Sequence, residues 1–477
     1  MSLQWGYSLP ISPSTRSFRA AYRSTKEGVT IYDYSYMCPI VISGTVRDID
    51  DLFSPLCPID LRPSHSRAFS SLLPSHICAH HPLPLSSPPS CEYCSFDSVN
   101  ASRQDQSAAT DLKTRLTLHA YLRGTKCGRI SLYFPFSYPF GYVGSADFLW
   151  RAREDENPIS EEEEEVGDIA KKGSNRDLLL WIHPSISGIV MDLLTRSAPS
   201  GVTVCSQRNK FCLFQLRGPS SHSLLLRTIQ PKFSLSSSPS STASPSPTLS
   251  SAWSSLSLLG SSSSLPSRCV VAVEAEDPRV FLPLSLSLST SHGHSDDSKE
   301  EVREGVPSSS NLLSSSPLPS LSPIPSSSSS LPVRVEGLKT LIASWPESLA
   351  VSRIWEYLTD VTKSPPFPSH RDVTSQREKV IELIRSLIVS KIIFMISQMQ
   401  IDPNRVTFPA ILIQRPGDGR HTNKSAGGSD IGSGWDIFLP SEWGRVLWIA
   451  LSHGGGRAIG DSPIWISYII FDSKVIF

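Results

Sequence analysis

The feature that most constrains this chain is a hundred-residue stretch, 231–330, that contains 37 serines. Runs such as SSSSL (261–265) and SSSSS (326–330), broken by proline, offer almost nothing to bury. Such a segment cannot offset the entropy lost on ordering and is expected to be a disordered insertion. One island stands inside it. The β-rich string RCVVAVEAEDPRVFLP (268–283) reads as a core strand with a turn signal behind it, so the core is expected to continue across the insertion. A second insertion is expected at 62–111, rich in Ser, Pro and His, and an acidic loop, EDENPISEEEEE, at 154–165.

Five ordered or divergent units remain around these insertions: 1–61, 112–230, the strand at 268–283, 331–460, and a tail at 461–477. Within them the pattern switches between period two and period 3.6. YMCPIVI (36–42) reads as a strand before the helical VRDIDDLF, and GRISLYF (128–134) as another strand. LLLWIHPSISGIVMDLL (178–194) is a strand entering a helix at Pro184, and FCLFQLRGPSSHSLLLRTI (211–229) repeats that order through Gly218 and Ser220. Downstream, 371–400 carries a long helical pattern, PAILIQ (409–414) a buried strand, and GWDIFLP (434–440) a strand before SEWGRVLWIAL. The fold class this predicts is α+β or mixed α/β.

Composition excludes several roles. The 477 residues hold 44 Lys and Arg against 44 Asp and Glu, so no bulk charge draws the chain to nucleic acid or to an anionic membrane, and any such contact must be local. The longest apolar run, 380–400, is interrupted by Glu382, Arg385 and Lys391, which reads as an amphipathic helix and not a span. MSLQWGYSLP lacks a signal-peptide pattern, and nine irregularly spaced cysteines argue against a disulfide framework. There is no Walker loop, dinucleotide glycine fingerprint, HExxH or G-x-S-x-G, and GGGRAIG (454–460) lacks the Lys-Ser/Thr end of a phosphate loop.

Three constellations carry chemistry. Cys91 and Cys94 follow Cys78, His80 and His81, which could close a zinc site but match no standard finger; the plainer reading is incidental residues, and neither a metal nor a cofactor is expected. His183 and His222 each sit beside a turn, where capping or a core hydrogen bond is the commoner role than acid–base work. The first 23 residues interleave Trp5, Tyr7, Phe18 and Tyr22 with Arg16, Arg19 and Arg23, supplying flat faces for bases and forks for phosphate. A packed aromatic cluster with solvated arginines explains the composition equally well. Near the other end, Trp435, Trp443 and Trp448 fall within fourteen residues, as a buried platform or a partner-facing anchor.

Read together, WGYSLP (5–10), RAAYR (19–23), DYSYMC (33–38), LWIHP (180–184), GPSSHS (218–223), DPRVFLP (277–283), Ile354-Trp355, PAILIQRPG (409–417) and GSGWDIFLPSEWG (432–444) occur in order. The set resembles the largest protein subunit of eukaryotic ribonuclease P and the related RNase MRP. The last two motifs are similar to that family's C-terminal conserved domain, and assign Gln414, Gly417, Gly434, Trp435, Asp436, Trp443 and Gly444 to its core. The resemblance implies an aminomethyltransferase-like N-terminal fold and a protein with no catalytic residues of its own. Such a protein would brace ribonuclease P RNA and MRP RNA, anchor the smaller protein subunits and meet precursor tRNA indirectly. It implies work in tRNA 5′-leader removal and rRNA processing, in the nucleus and nucleolus, away from membranes. Trp5, Tyr7, Arg16, Arg19, Tyr22 and Arg23 are the expected RNA contacts. Family members also carry a basic segment ahead of the WGY motif and further sequence after the WG motif, so the sequence is expected to be incomplete at both ends. Two other readings stand beside this one: a folate-dependent one-carbon-transfer enzyme on the same fold, and a Ser-rich interaction protein.

Overall fold

The computed structural model describes residues 2–9, 15–58, 62–63, 120–153, 175–232, 249–280, 331–343, 345–360, 362–389, 406–417 and 432–460. The Cys/His set at 78–94 and the acidic loop lie outside them, as do most of the Ser-rich stretch and the 461–477 tail.

Two antiparallel sheets form the centre. The first has five strands, in the order β5 (Gly128–Tyr133), β6 (Tyr142–Trp150), β7 (Asn175–Ile182), β4 (Cys38–Thr45) and β8 (Thr203–Ser206). The second has six: β10 (Val270–Glu276), β11 (Thr407–Arg415), β12 (Gly434–Pro440), β9 (Phe211–Arg217), β3 (Thr30–Asp33) and β13 (Arg457–Ala458). Only the β13–β3 pair is parallel. A separate hairpin pairs β1 (Ser2–Gln4) with β2 (Tyr7–Leu9). The expected α+β architecture is therefore the one the chain adopts.

Period-two alternation decides which face each strand residue serves. In β4 and β7, Ile40, Ile42, Leu178, Leu180 and Ile182 point to one core, while Val41, Leu179 and Trp181 point to another. The second core also holds Leu213, Val270, Ile411, Ile413 and Phe438 of the six-stranded sheet, so the two sheets share it as an inner layer. Trp181 meets Phe438 edge-on across that layer at 5.3 Å.

Helices cover the outer faces. Helix α2 (Val46–Phe53) and α3 (Pro184–Ser197) bury Ile49, Leu52, Phe53, Val190 and Leu194 on the five-stranded sheet. Thr45 caps α2 by accepting the Asp48 N–H at 3.1 Å. Pro184 starts α3, where it costs no hydrogen bond. On the six-stranded sheet lie α4 (Ser221–Thr228), α5 (Leu249–Leu256) and α9 (Ser441–His453), which contribute Leu224, Leu225, Trp253, Leu256, Trp443, Leu447 and Leu451. The remaining helices are α1 (Thr15–Glu27), α6 (Leu331–Ala343), α7 (Ile354–Thr359) and α8 (His370–Val389).

Helix α5 differs from the expectation for 231–330. Residues 249–256, read as part of the Ser-rich insertion, are helical because Ala252, Trp253 and Leu256 fall on one face and reach the core. Strand β10 occupies the apolar island, seven residues in register with β11.

A candidate nucleic-acid interface

The hairpin β1–β2 turns at Trp5 and Gly6, both at positive φ, as a two-residue loop requires. This presents Trp5, partly exposed, edge-on to His183 at 4.4 Å and tilted against Tyr36 at 5.7 Å. The Tyr7 hydroxyl donates to Asn209 Oδ1 at 2.6 Å and accepts from Arg208 Nε at 3.0 Å. Arg208 Nη2 also donates to the Trp5 carbonyl, and its guanidinium lies 5.3 Å from the Tyr7 ring centre. Arg208 and Asn209 therefore hold the hairpin. Neither was legible in sequence, because both sit about 200 residues away in a polar turn.

Helix α1 packs through Ala21 into a small cluster with Tyr32, Tyr36 and Ile459, and Tyr7 and Leu9 pack on the same cluster. Hairpin and helix are thus brought together. With Ala21 inward, the helical period puts Arg19, Tyr22, Arg23 and Lys26 outward and Phe18 on the flank, all exposed. Neither Arg19 nor Arg23 has an ion-pair partner among the described residues. Arg16 falls in the first turn of α1, and its side chain lies outside the described residues.

The C-terminal motif residues are deep. Gln414 accepts from the Arg268 N–H at 2.8 Å and donates to the Ser262 carbonyl at 2.9 Å. Trp435 stacks on His222 at 5.9 Å, and Trp443 on Phe408 at 4.6 Å. Gly417 lies two residues beyond the end of β11. A side chain at Gly434 would sit 1.9 Å from the Leu216 carbonyl oxygen, and one at Gly444 2.6 Å from Cys212 Sγ. His222 uses Nε2 as donor to the Leu256 carbonyl at 2.9 Å, which leaves Nδ1 unprotonated. His183 caps α3 through Nδ1. Both histidines thus have structural work.

Asp436 belongs to a buried ion network between the sheets that the sequence did not announce. It accepts from Arg217 and, at 2.6 Å, from Arg415 Nε. Arg415 reaches on to Asp147 at 2.7 Å, where Arg129 (2.7 Å) and Arg268 (3.4 Å) also converge. Burial pushes the Asp147 carboxyl up, but Arg415, Arg268 and Arg129 outweigh it and hold it well below the usual range. Burial likewise opposes ionisation of Asp436, and Arg217 and Arg415 prevail. The one signal available in sequence was a charge at an inward-facing position of an apolar strand, as in GSADFLW and ILIQR.

Among the described residues no three His, Cys, Asp or Glu side chains stand where they could hold a metal, and no helix is long and apolar enough to cross a membrane.

Comparison with known proteins bears on the segment that carries the hairpin and α1. Residues 1–45 match the family described as Ribonucleases P/MRP protein subunit POP1, N-terminal. Over 96% of its length the chain is 23% identical to the human Ribonucleases P/MRP protein subunit POP1. The chain thus resembles that subunit along nearly its whole sequence, yet it spans 42% of the relative's length. Among solved structures it resembles the glycine cleavage system aminomethyltransferase T of Bartonella henselae, with 12% identity over 48% of this chain and 39% of that one. The TM-score is 0.26, which is too low to carry an argument.

Proposed function

We propose that the chain is an RNA-binding, non-catalytic scaffold subunit of ribonuclease P and RNase MRP, acting in precursor-tRNA 5′-leader removal and rRNA processing in the nucleus and nucleolus. The observation that carries this reading is the outward face of α1. Phe18 and Tyr22 offer stacking surfaces, and Arg19, Arg23 and Lys26 offer phosphate contacts, in the very segment that matches the POP1 N-terminal family. With formal charge balanced over the whole chain, a local patch of this kind is the route to nucleic acid.

In this reading Trp5 and Tyr7, fixed by Arg208, extend the contact surface beside α1. Gln414, Gly417, Gly434, Trp435, Asp436, Trp443 and Gly444 shape the core. The partners are ribonuclease P RNA, MRP RNA and the smaller proteins of those particles, and precursor tRNA is met through the RNA. No residue cluster in the described structure favours the folate-enzyme alternative.

The test is to tag the chain in its native cell, purify it at moderate salt and sequence the co-purifying RNA. Enrichment of a ribonuclease P or MRP RNA together with leader-cleaving activity is the expected result. Recovery of no specific RNA overturns the proposal.

A further inference from the structure

The network between the sheets is unbalanced. Arg129, Arg217, Arg268 and Arg415 meet only Asp147 and Asp436, and no third carboxylate pairs with any of the four among the described residues. Two guanidiniums' worth of positive charge is thus left over, part of it on the half-exposed Arg129 and the rest in a layer where charge is expensive unless compensated. The backbone takes part of the hydrogen-bonding load: Arg268 Nη1 donates to the Gly128 carbonyl at 3.1 Å, and Arg217 Nη1 to the Leu216 and Trp435 carbonyls. Carbonyl dipoles leave the excess charge in place.

The network also has an opening. The Arg129 side chain is 53% exposed, while those of Arg268 and Arg415 are 17% and 13% exposed. Arg129 turns Nε and Nη2 to Asp147, and its Nη1 has no partner among the described residues. Tyr34, partly buried, lies within the field of Asp147 and Arg129; burial first and then Asp147 push its hydroxyl up to about 12, so it stays a donor at neutral pH. No hydrogen bond of that hydroxyl falls among the described residues.

We propose that the arginine cluster between the sheets is a binding site for a phosphate-class anion, entering at Arg129 and matching the charge that Asp147 and Asp436 leave over. The Arg129 and Arg268 forks suit the oxygens of a tetrahedral anion better than a point cation would. A phosphodiester of an RNA backbone and a free polyphosphate share this chemistry. The inference stands apart from the role given to α1, whose arginines are not among the four of the network.

Thermal unfolding of the whole chain, titrated with pyrophosphate against sodium chloride of equal ionic strength, tests it. Pyrophosphate is expected to raise Tm in the wild type beyond the chloride control. Arg129→Ala, which removes a largely exposed side chain, should weaken that response roughly ten- to a hundredfold. Arg129→Lys should fall between, and serves if the alanine variant does not fold. Arg19→Ala with Arg23→Ala should respond like the wild type, which separates this site from α1. An oligouridylate that displaces pyrophosphate assigns the anion to nucleic acid, and one that does not assigns it to free phosphate. An equal response in wild type and both Arg129 variants, or none in the wild type, overturns the proposal.

Discussion

Arg415, at the end of a strand in the six-stranded sheet, donates to Asp147 of the five-stranded sheet at 2.7 Å and so ties the two layers together. Its Nε holds Asp436 at 2.6 Å, so one side chain serves both carboxylates. Removing Asp436 leaves Arg217 with no carboxylate and Arg415 with Asp147 alone. Asp436→Ala should therefore cost about 3 kcal/mol or more in urea unfolding, with the slope unchanged. A loss below about 1 kcal/mol would show the network to be solvated.

The same carboxylates set an acid limit. Both have folded-state pKa values below the ordinary 3.8, so the unfolded chain takes up protons first as pH falls. Their stabilisation is complete above that ordinary value and is lost as pH falls through the folded values. Urea midpoints measured from pH 5 down to pH 2.5 should drop below about pH 4, and the drop should be shallower in Asp436→Asn.

His222 acts in a milder range. Burial lowers its pKa from 6.5, only partly offset by its bond to the Leu256 carbonyl. Below pH 6.5 the unfolded chain holds the proton that the folded chain refuses, so stability declines as pH falls from 6.5 toward the folded value. His222→Phe, which keeps a ring against Trp435, should flatten that part of the profile. An unchanged slope between pH 7.5 and 5.5 would remove His222 as its source.

Two glycines predict opposite signs. Gly434→Ala would place a carbon 1.9 Å from the Leu216 oxygen and force β12 from β9, a loss of about 1–3 kcal/mol or more. Gly188, inside α3, has nothing within 4 Å of its missing Cβ, so Gly188→Ala should stabilise by about 0.5–1 kcal/mol. Thermal melts of the two variants side by side check both.

Arg19→Ala with Arg23→Ala should weaken RNA binding and lower the slope of log K against log salt by about two. A slope identical to that of the wild type would take α1 out of the interface.

Much of the architecture was legible because apolar alternation is strong in the buried strands: β7, β9, β11 and β12 each coincide with an apolar run in the sequence. Strand β13 was not, since two residues after three glycines carry no periodic signal and are fixed only by pairing with Thr30 and Ile31. Helix α5 was hidden by its serines, which occupy the outward positions around Ala252, Trp253 and Leu256. At the candidate interface the interleaving of arginine and aromatic residues was visible, but which of them face outward is set by the packing of Ala21 against Tyr32, Tyr36 and Ile459. The ion network escaped because its members come from strands distant in sequence, and pairing of that kind is a property of register alone.

The six-stranded sheet has a consequence for the order of assembly. Every strand of the five-stranded sheet has been synthesised by residue 206, but β3, at residues 30–33, pairs with β9 at 214–217 and with β13 at 457–458. An early strand must therefore wait until residues 457–458 have been made before its second edge is covered. Pairings this distant close slowly and leave an open strand edge meanwhile. During translation the chain passes through a half-built state, one sheet complete and the other unfinished, in which shielding by a chaperone matters most.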